Sequence, residues 1–204
     1  MKLRFPEHFL LGVSSASTQI EGGEVGSNWN DWFHRGHIKD GSDPALANDH
    51  WNRWREDCDL MASMGLRVCR LGLEWARLVP EQGKPYREEL SYLRELGIRP
   101  LVTIHHFSNP MWFEETDGFV RRENLEDFLD YVRLCGESFG DLVSEWITIN
   151  EPNVYATNGY CFGAWPPGRK SYRQTFRVME NMAYCHIRAY TMLHGEKWDI
   201  RIRW

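Results

Sequence analysis

Four short apolar runs, each followed by a stretch with helical spacing, constrain this chain more than any other feature. Residues 9–14 (FLLGVS), Arg67–Leu73, Pro100–Ile104 and Val143–Ile149 have strand lengths, and the third is rich in β-branched residues. Ala47–Met64 carries Trp51, Trp54, Cys58 and Met61 at helical intervals and stops at Gly65. Arg87–Leu96 is short and charged and ends at Gly97, while Leu125–Phe139 repeats Leu125, Phe128, Leu129, Val132 and Cys135 before Gly140. Tyr172–Leu193 reads as a long helix and Glu21–Asp43 as a polar, glycine-rich loop. Strand and helix alternating four times predict an α/β fold with a parallel sheet. The strands are nearly uncharged, as a sheet covered on both faces requires.

A doubly wound sheet and a (β/α)8 barrel both begin this way. The phosphate-binding signals of the first, GxGxxG and GxxxxGK[ST], are missing. The strand ends favour the barrel. Gln19 follows the first strand in STQIEGG, and Arg70 stands at the second in VCRLGLEW. His105-His106-Phe107 close the third strand and Asn150-Glu151 the fourth. Active sites of (β/α)8 barrels are assembled from side chains at this end of several strands. One polar residue at a strand end is ordinary; four in phase mark a site. In ITINEPN (147–153), Pro152 lacks a backbone N–H and disfavours helix before it, so Glu151 is fixed on a stiff strand end beside Asn150. A charge there is costly unless it faces a cavity.

At 204 residues the chain reads as one domain, 1–204, and its formal net charge of −5 gives nucleic acid no electrostatic attraction. No apolar run is long enough to span a bilayer, and MKLRFPEHFLLG has charges and Pro6 where a signal peptide is apolar. The expectation is a cytoplasmic protein with no membrane partner. Its five cysteines are scattered and form no CxxC, so buried thiols are the simplest reading. His34 and His37 have HxxH spacing without a nearby Cys or acidic pair, and read as loop histidines rather than metal ligands. Of the ten tryptophans, Trp54 and Trp146 read as core. Others stand in SNWNDWF, NPMWF and GAWPPG, loops whose aromatic faces suit the apolar faces of sugar rings, and also proteins or peptides.

FLLGVSSASTQIEGG, the HHF at the third strand end and above all ITINEPN resemble glycoside hydrolase family 1, the retaining β-glucosidase and β-galactosidase type. The likeness runs in order from Phe5 to about Leu193. It implies a (β/α)8 TIM-type barrel that hydrolyses the β-glycosidic bond of a small β-glycoside or oligosaccharide, with neither metal nor organic cofactor. By matched motif it implies Glu151 as general acid/base and Asn150 as partner of the hydroxyl at sugar carbon 2. Gln19 and His106 would hold glycone hydroxyls, and Arg70 would lie near the nucleophile and keep it ionised. Trp75, in LEWARL, would pack.

The chain departs from the family in four places. The family's second catalytic carboxylate lies in a Thr-Glu-Asn-Gly segment that is absent here; Glu123-Asn124 and Glu180-Asn181 read as helical and lack the glycine. About four βα units make an incomplete barrel, where a whole one takes ~250 residues. The segment Gln82–Tyr86 reaches its helix with fewer residues than the family uses. Finally, WDIRIRW (198–204) alternates Arg with Ile and does not resemble a fifth barrel strand.

Retaining hydrolysis uses two carboxyl groups about 5–5.5 Å apart. One protonates the leaving oxygen and later deprotonates water; the other attacks the anomeric carbon. The first keeps its proton through burial or a neighbouring negative charge. Glu151 fits the first role. For the second only Glu74 stands near a strand end, and it precedes Trp75 within a barrel-like run. The expectation is therefore a chain inactive by itself. It reads as the N-terminal half of a β-glycosidase, as a sugar-binding half that needs a complementary C-terminal half, or as a structural module prone to self-association.

Overall fold

The computed structural model describes residues 6, 8–81, 83–195 and 201–203. Its strands are β1 (Gly12–Ser14), β2 (Val68–Gly72), β3 (Arg99–His105), β4 (Glu145–Ile149) and β5 (Arg201–Arg203). They form one sheet in the order β1-β2-β3-β4-β5 with every pairing parallel. Spatial order equal to chain order leaves no switch point, which excludes the doubly wound alternative and matches a barrel wound in one direction.

Short helices crowd the C-terminal ends of the strands, and long ones return the chain. After β1 come α1 (Ser17–Ile20), α2 (Asn28–His34) and the long α3 (His50–Ser63). After β2 come α4 (Trp75–Glu81) and α5 (Lys84–Glu95); after β3, α6 (Met111–Glu115) and α7 (Leu125–Phe139). β4 leads into α8 (Pro152–Ala156), a π-helical turn over Thr157–Phe162 and α9 (Tyr172–Gly195). The main core lies between β2–β4 and helices α4–α9, with Trp75 at 1% and Trp146 at 0% exposure. Trp75 stacks on Tyr131, ring centroids 4.9 Å apart and planes 10° off parallel, and also meets Phe113 and Phe128. A smaller core joins α3 to α5 through Cys58, Cys69, Leu93 and Ile98, with Trp54 packed against it.

Several expectations need correction. FLLGVS is not a buried strand: β1 begins at Gly12, forms the sheet's edge, and leaves Phe9, Leu10, Leu11 and Val13 each at least 40% exposed. The run containing LEWARL does not continue as strand. β2 stops at Gly72, where a Cβ would lie 3.3 Å from the Ser17 amide nitrogen, and Trp75 opens α4. The α3 helix starts at His50 because Ala47 and Asp49 hold positive φ values of 36° and 56°. His34 closes α2 rather than lying in a loop. Arg201–Arg203, within WDIRIRW, does form a fifth parallel strand, with Glu145 opposite Arg201 and Ile147 opposite Arg203. Ladder hydrogen bonds come from the backbone, so the alternation of Arg and Ile does not bar the pairing. Trp198, Trp204 and Gln82 lie outside the described residues.

All five cysteines are free, four of them buried. Among the described residues no helix is long and apolar enough to cross a membrane, and no cluster of three or more His, Cys, Asp and Glu could hold a metal ion.

Candidate active site

A chain of hydrogen bonds joins three strands at their C-terminal ends. Arg70 on β2 donates from Nε to Thr103 Oγ1 on β3 at 2.9 Å, and from Nη2 to Asn150 Oδ1 just beyond β4 at 2.5 Å. The Asn150 amide N–H donates to the His105 carbonyl at 2.9 Å, and its Nδ2 faces Glu151 Oε2 at 3.4 Å. Partial burial draws the Arg70 pKa down while the Glu151 charge acts in the opposite sense. An arginine still keeps its charge at any physiological pH.

The two histidines that close β3 part company. His105 is fully buried, paired through Nε2 with Asn109 Oδ1 at 2.9 Å and surrounded edge-on by Phe119 and Tyr155. It is a core residue. His106 is half-buried on the rim, and its imidazole pKa is pushed down to about 4, first by burial and then by the Arg70 charge. It is therefore neutral at neutral pH. Its Nδ1 is buried with no hydrogen-bond partner among the described residues.

Glu151 sits at φ 41° and ψ 61°, a left-handed conformation rather than the extended one usual before proline. Such backbone costs of order 1–3 kcal/mol in a non-glycine residue and collects at functional sites. Pro152 then occupies the first position of α8, where its missing N–H costs nothing. The Glu151 side chain is exposed, so burial, one of the two devices that keep a proton on a general acid, is not in place around it. Gln19 stands on α1 after β1, also exposed, and among the described residues no hydrogen bond joins it to the others. The structure thus brings Arg70, His106, Asn150 and Glu151 together, with Gln19 on the β1 side of the same rim.

Two features escaped the sequence reading. Thr103, fully buried on β3, supplies the acceptor for Arg70; a lone hydroxyl in the run LVTI was its signal. Phe107 holds φ 68°, and its carbonyl accepts from Trp29 Nε1 at 3.1 Å. Its ring lies 5.0 Å from that of Trp165, which meets Trp29 at 5.8 Å, so Trp29, on α2 rather than in the loop expected, and Trp165 form one wall beside His106. Glu74, the other strand-end carboxylate, is 2% exposed and surrounded by hydrogen-bond donors, which bars it from attack on a group at the rim.

Comparison with known proteins places this architecture. The glycosyl hydrolase family 1 profile matches residues 1–203, and the chain belongs to that family. Beta-glucosidase A of Thermotoga maritima is 37% identical over 200 residues, covering 91% of this chain and 45% of that protein. Coniferin beta-glucosidase of Pinus contorta is 37% identical over 180 residues, covering 81% of this chain and 35% of that protein. The structure of a beta-glucosidase from Thermotoga maritima in complex with glucoimidazole matches with a TM-score of 0.91 and 36% identity, over 97% of this chain and 48% of that one. A complex with deoxynojirimycin also matches at 0.91. The chain spans about half the length of the relatives it matches, and its sheet is an incomplete (β/α)8 barrel.

Proposed function

We propose that this chain carries the acid/base half of a retaining β-glucosidase-type site. The observation that carries the reading is the link from Arg70 through Asn150 to Glu151 across the C-terminal ends of β2 and β4. The relatives named beta-glucosidases, and the sugar-like molecules in the matched complexes, support the same substrate class: a small β-glycoside or oligosaccharide.

In this reading Glu151 gives its proton to the glycosidic oxygen as the bond to the anomeric carbon breaks. Asn150 holds the hydroxyl at carbon 2, and neutral His106 and Gln19 hold other glycone hydroxyls. A second carboxylate forms the glycosyl intermediate, with Arg70 keeping that group ionised, and Glu151 then takes a proton from the attacking water. Glu74 is enclosed and cannot serve, so the attacking carboxylate comes from a complementary C-terminal half, and the 204 residues alone do not turn over.

The test uses a barrel completed with such a half, supplied in trans or by fusion. Glu151→Ala should slow glycosides of alkyl alcohols or sugars by ~10²–10⁴-fold, because these leaving groups need a proton. Glycosyl transfer from an activated phenol should suffer much less, and azide should relieve the slow second step. Equal losses across leaving groups, without azide rescue, would remove Glu151 from the acid/base role.

A further inference from the structure

We infer that Glu74 is a positioning residue for the glycone side of the site: its one carboxylate holds both the turn that carries Gln19 and the loop that carries His106. The contacts stand by themselves; only what the two side chains would hold rests on the glycosidase reading above.

A carboxylate offers about four lone-pair sites, and those of Glu74 meet four donors. Oε2 accepts from Ser17 Oγ at 3.1 Å and Thr18 Oγ1 at 3.5 Å, the two residues that precede Gln19 in α1. Oε1 accepts from Ser108 Oγ at 3.0 Å, two residues after His106, and from the Ala76 amide at 3.2 Å. The Glu74 amide donates to Tyr86 Oη at 3.0 Å, which anchors the hub to α5. One side chain on the β2–α4 turn therefore ties the ends of β1 and β3 to its own strand end. The bare Gly72 lets α1 come close enough for this.

Burial raises the Glu74 pKa, while Ser108, Ala76, Ser17 and Arg77 each pull it back. Beside it, Glu21 is pushed up to about 8, first by burial and then by the Glu74 charge. A core filler would need no such donors. A simple brace for α4 would need only the Ala76 amide.

Hydrogen exchange on the full 204-residue chain separates these cases. The amides of Gln19, Glu21 and Asn109 are hydrogen-bonded, to Ala16 O, Ser17 O and Asn28 Oδ1, so each reports on its own loop. In Glu74→Ala they should exchange ~10–100-fold faster, the effect of losing one or two buried hydrogen bonds on local opening, while the buried face of α9 changes by under ~3-fold. Glu74→Gln can still accept and its neighbouring hydroxyls can also accept, so it should restore slow exchange. Should Glu74→Ala fail to fold, Ser17→Ala should quicken Gln19 and Glu21 alone, and Ser108→Ala only Asn109. Deoxynojirimycin, titrated calorimetrically into the same chains after each is completed with the C-terminal half, should bind at least ~10-fold more weakly to Glu74→Ala, with Glu74→Gln rescuing it. Uniform acceleration that includes α9, loops that do not respond, or undiminished deoxynojirimycin binding would each overturn the assignment. If the completed, unsubstituted barrel binds no deoxynojirimycin, the glycosidase reading loses its support, while the exchange contrast on the 204-residue chain still decides whether Glu74 holds the two loops.

Discussion

Between α3 and α5 lies an ionic clamp whose strength should vanish between pH 6 and pH 10. His50, 7% exposed at its side chain, meets Asp57 through Nδ1 at 2.7 Å and Glu89 through Nε2 at 2.9 Å. Burial alone would lower its pKa, but the hydrogen bonds and charges of Glu89 and Asp57 prevail and raise it from 6.5 to about 9. A group whose pKa rises on folding stabilises most below its unfolded value and loses that stabilisation as pH climbs through the folded one. That rise then contributes about 3 kcal/mol at pH 6, about 1.4 kcal/mol at pH 8 and almost nothing at pH 10. The comparison chain is His50→Gln/Glu89→Gln, which strands no buried carboxylate. Urea unfolding of both chains, followed by tryptophan fluorescence at dilute concentration, gives the difference at each pH. The neighbouring thiols Cys58 and Cys69 have pKa values raised first by burial, which both chains share and which cancels, and then by the Glu89 charge, which only the unsubstituted chain has. A difference that stays flat within ~0.5 kcal/mol, or grows toward pH 10, would refute the reasoning.

Two further outcomes are expected. Trp75→Ala should destabilise the chain by about 3–5 kcal/mol, since it empties a fully enclosed site stacked on Tyr131; urea titration checks this, and a cost under ~1 kcal/mol would mean the site had collapsed around the loss. The chain should self-associate through the exposed β1 edge and the adjoining groove of about 720 Å³ beside α3, where Val13, Leu60 and Met64 are exposed, and Val13→Lys should shift sedimentation toward monomer; a concentration-independent monomer before the substitution would contradict this.

What the sequence made legible was whatever repeats locally. The α7 helix lies over Leu125–Phe139 as its apolar spacing predicts, because a complete amphipathic face and a following glycine leave little freedom. The chain order of the strands follows from βα alternation, and the polar residues of the site were found by their place at or after the ends of the apolar runs. The misses share a different cause. Nothing within FLLGVS distinguishes an edge strand from a buried one, since exposure depends on which strand lies alongside. The LEWARL segment carries apolar residues suited to either strand or helix; the close approach of α1 to Gly72, a contact 55 residues apart in sequence, ends the strand there. The part Thr103 plays and the partners of Glu74 were invisible for the same reason, because they come from other βα units.

That distribution of partners bears on how the site is built. Arg70 finds Thr103 and Asn150, Asn150 finds the β3 backbone, and Glu74 finds its donors on α1, α4 and the loop after β3, all within these residues. Polar groups that close their hydrogen bonds on one another can hold their geometry before any ligand arrives, which is the condition for electrostatic preorganisation. Glu151 is built differently: its backbone is strained and its carboxyl faces solvent with one long contact to Asn150. Here the scaffold fixes where the carboxyl stands and leaves it open to whatever covers it. A sugar bound in the site would supply part of that cover, and the second carboxylate of the proposed mechanism would supply the negative charge. Positioning and proton affinity would then reside in different parts of the assembled barrel. Substitutions at Thr103 or Glu74 should therefore act chiefly on binding, those at Arg70 also on the ionisation of the second carboxylate, and substitutions in the complementary half on the pH dependence of activity.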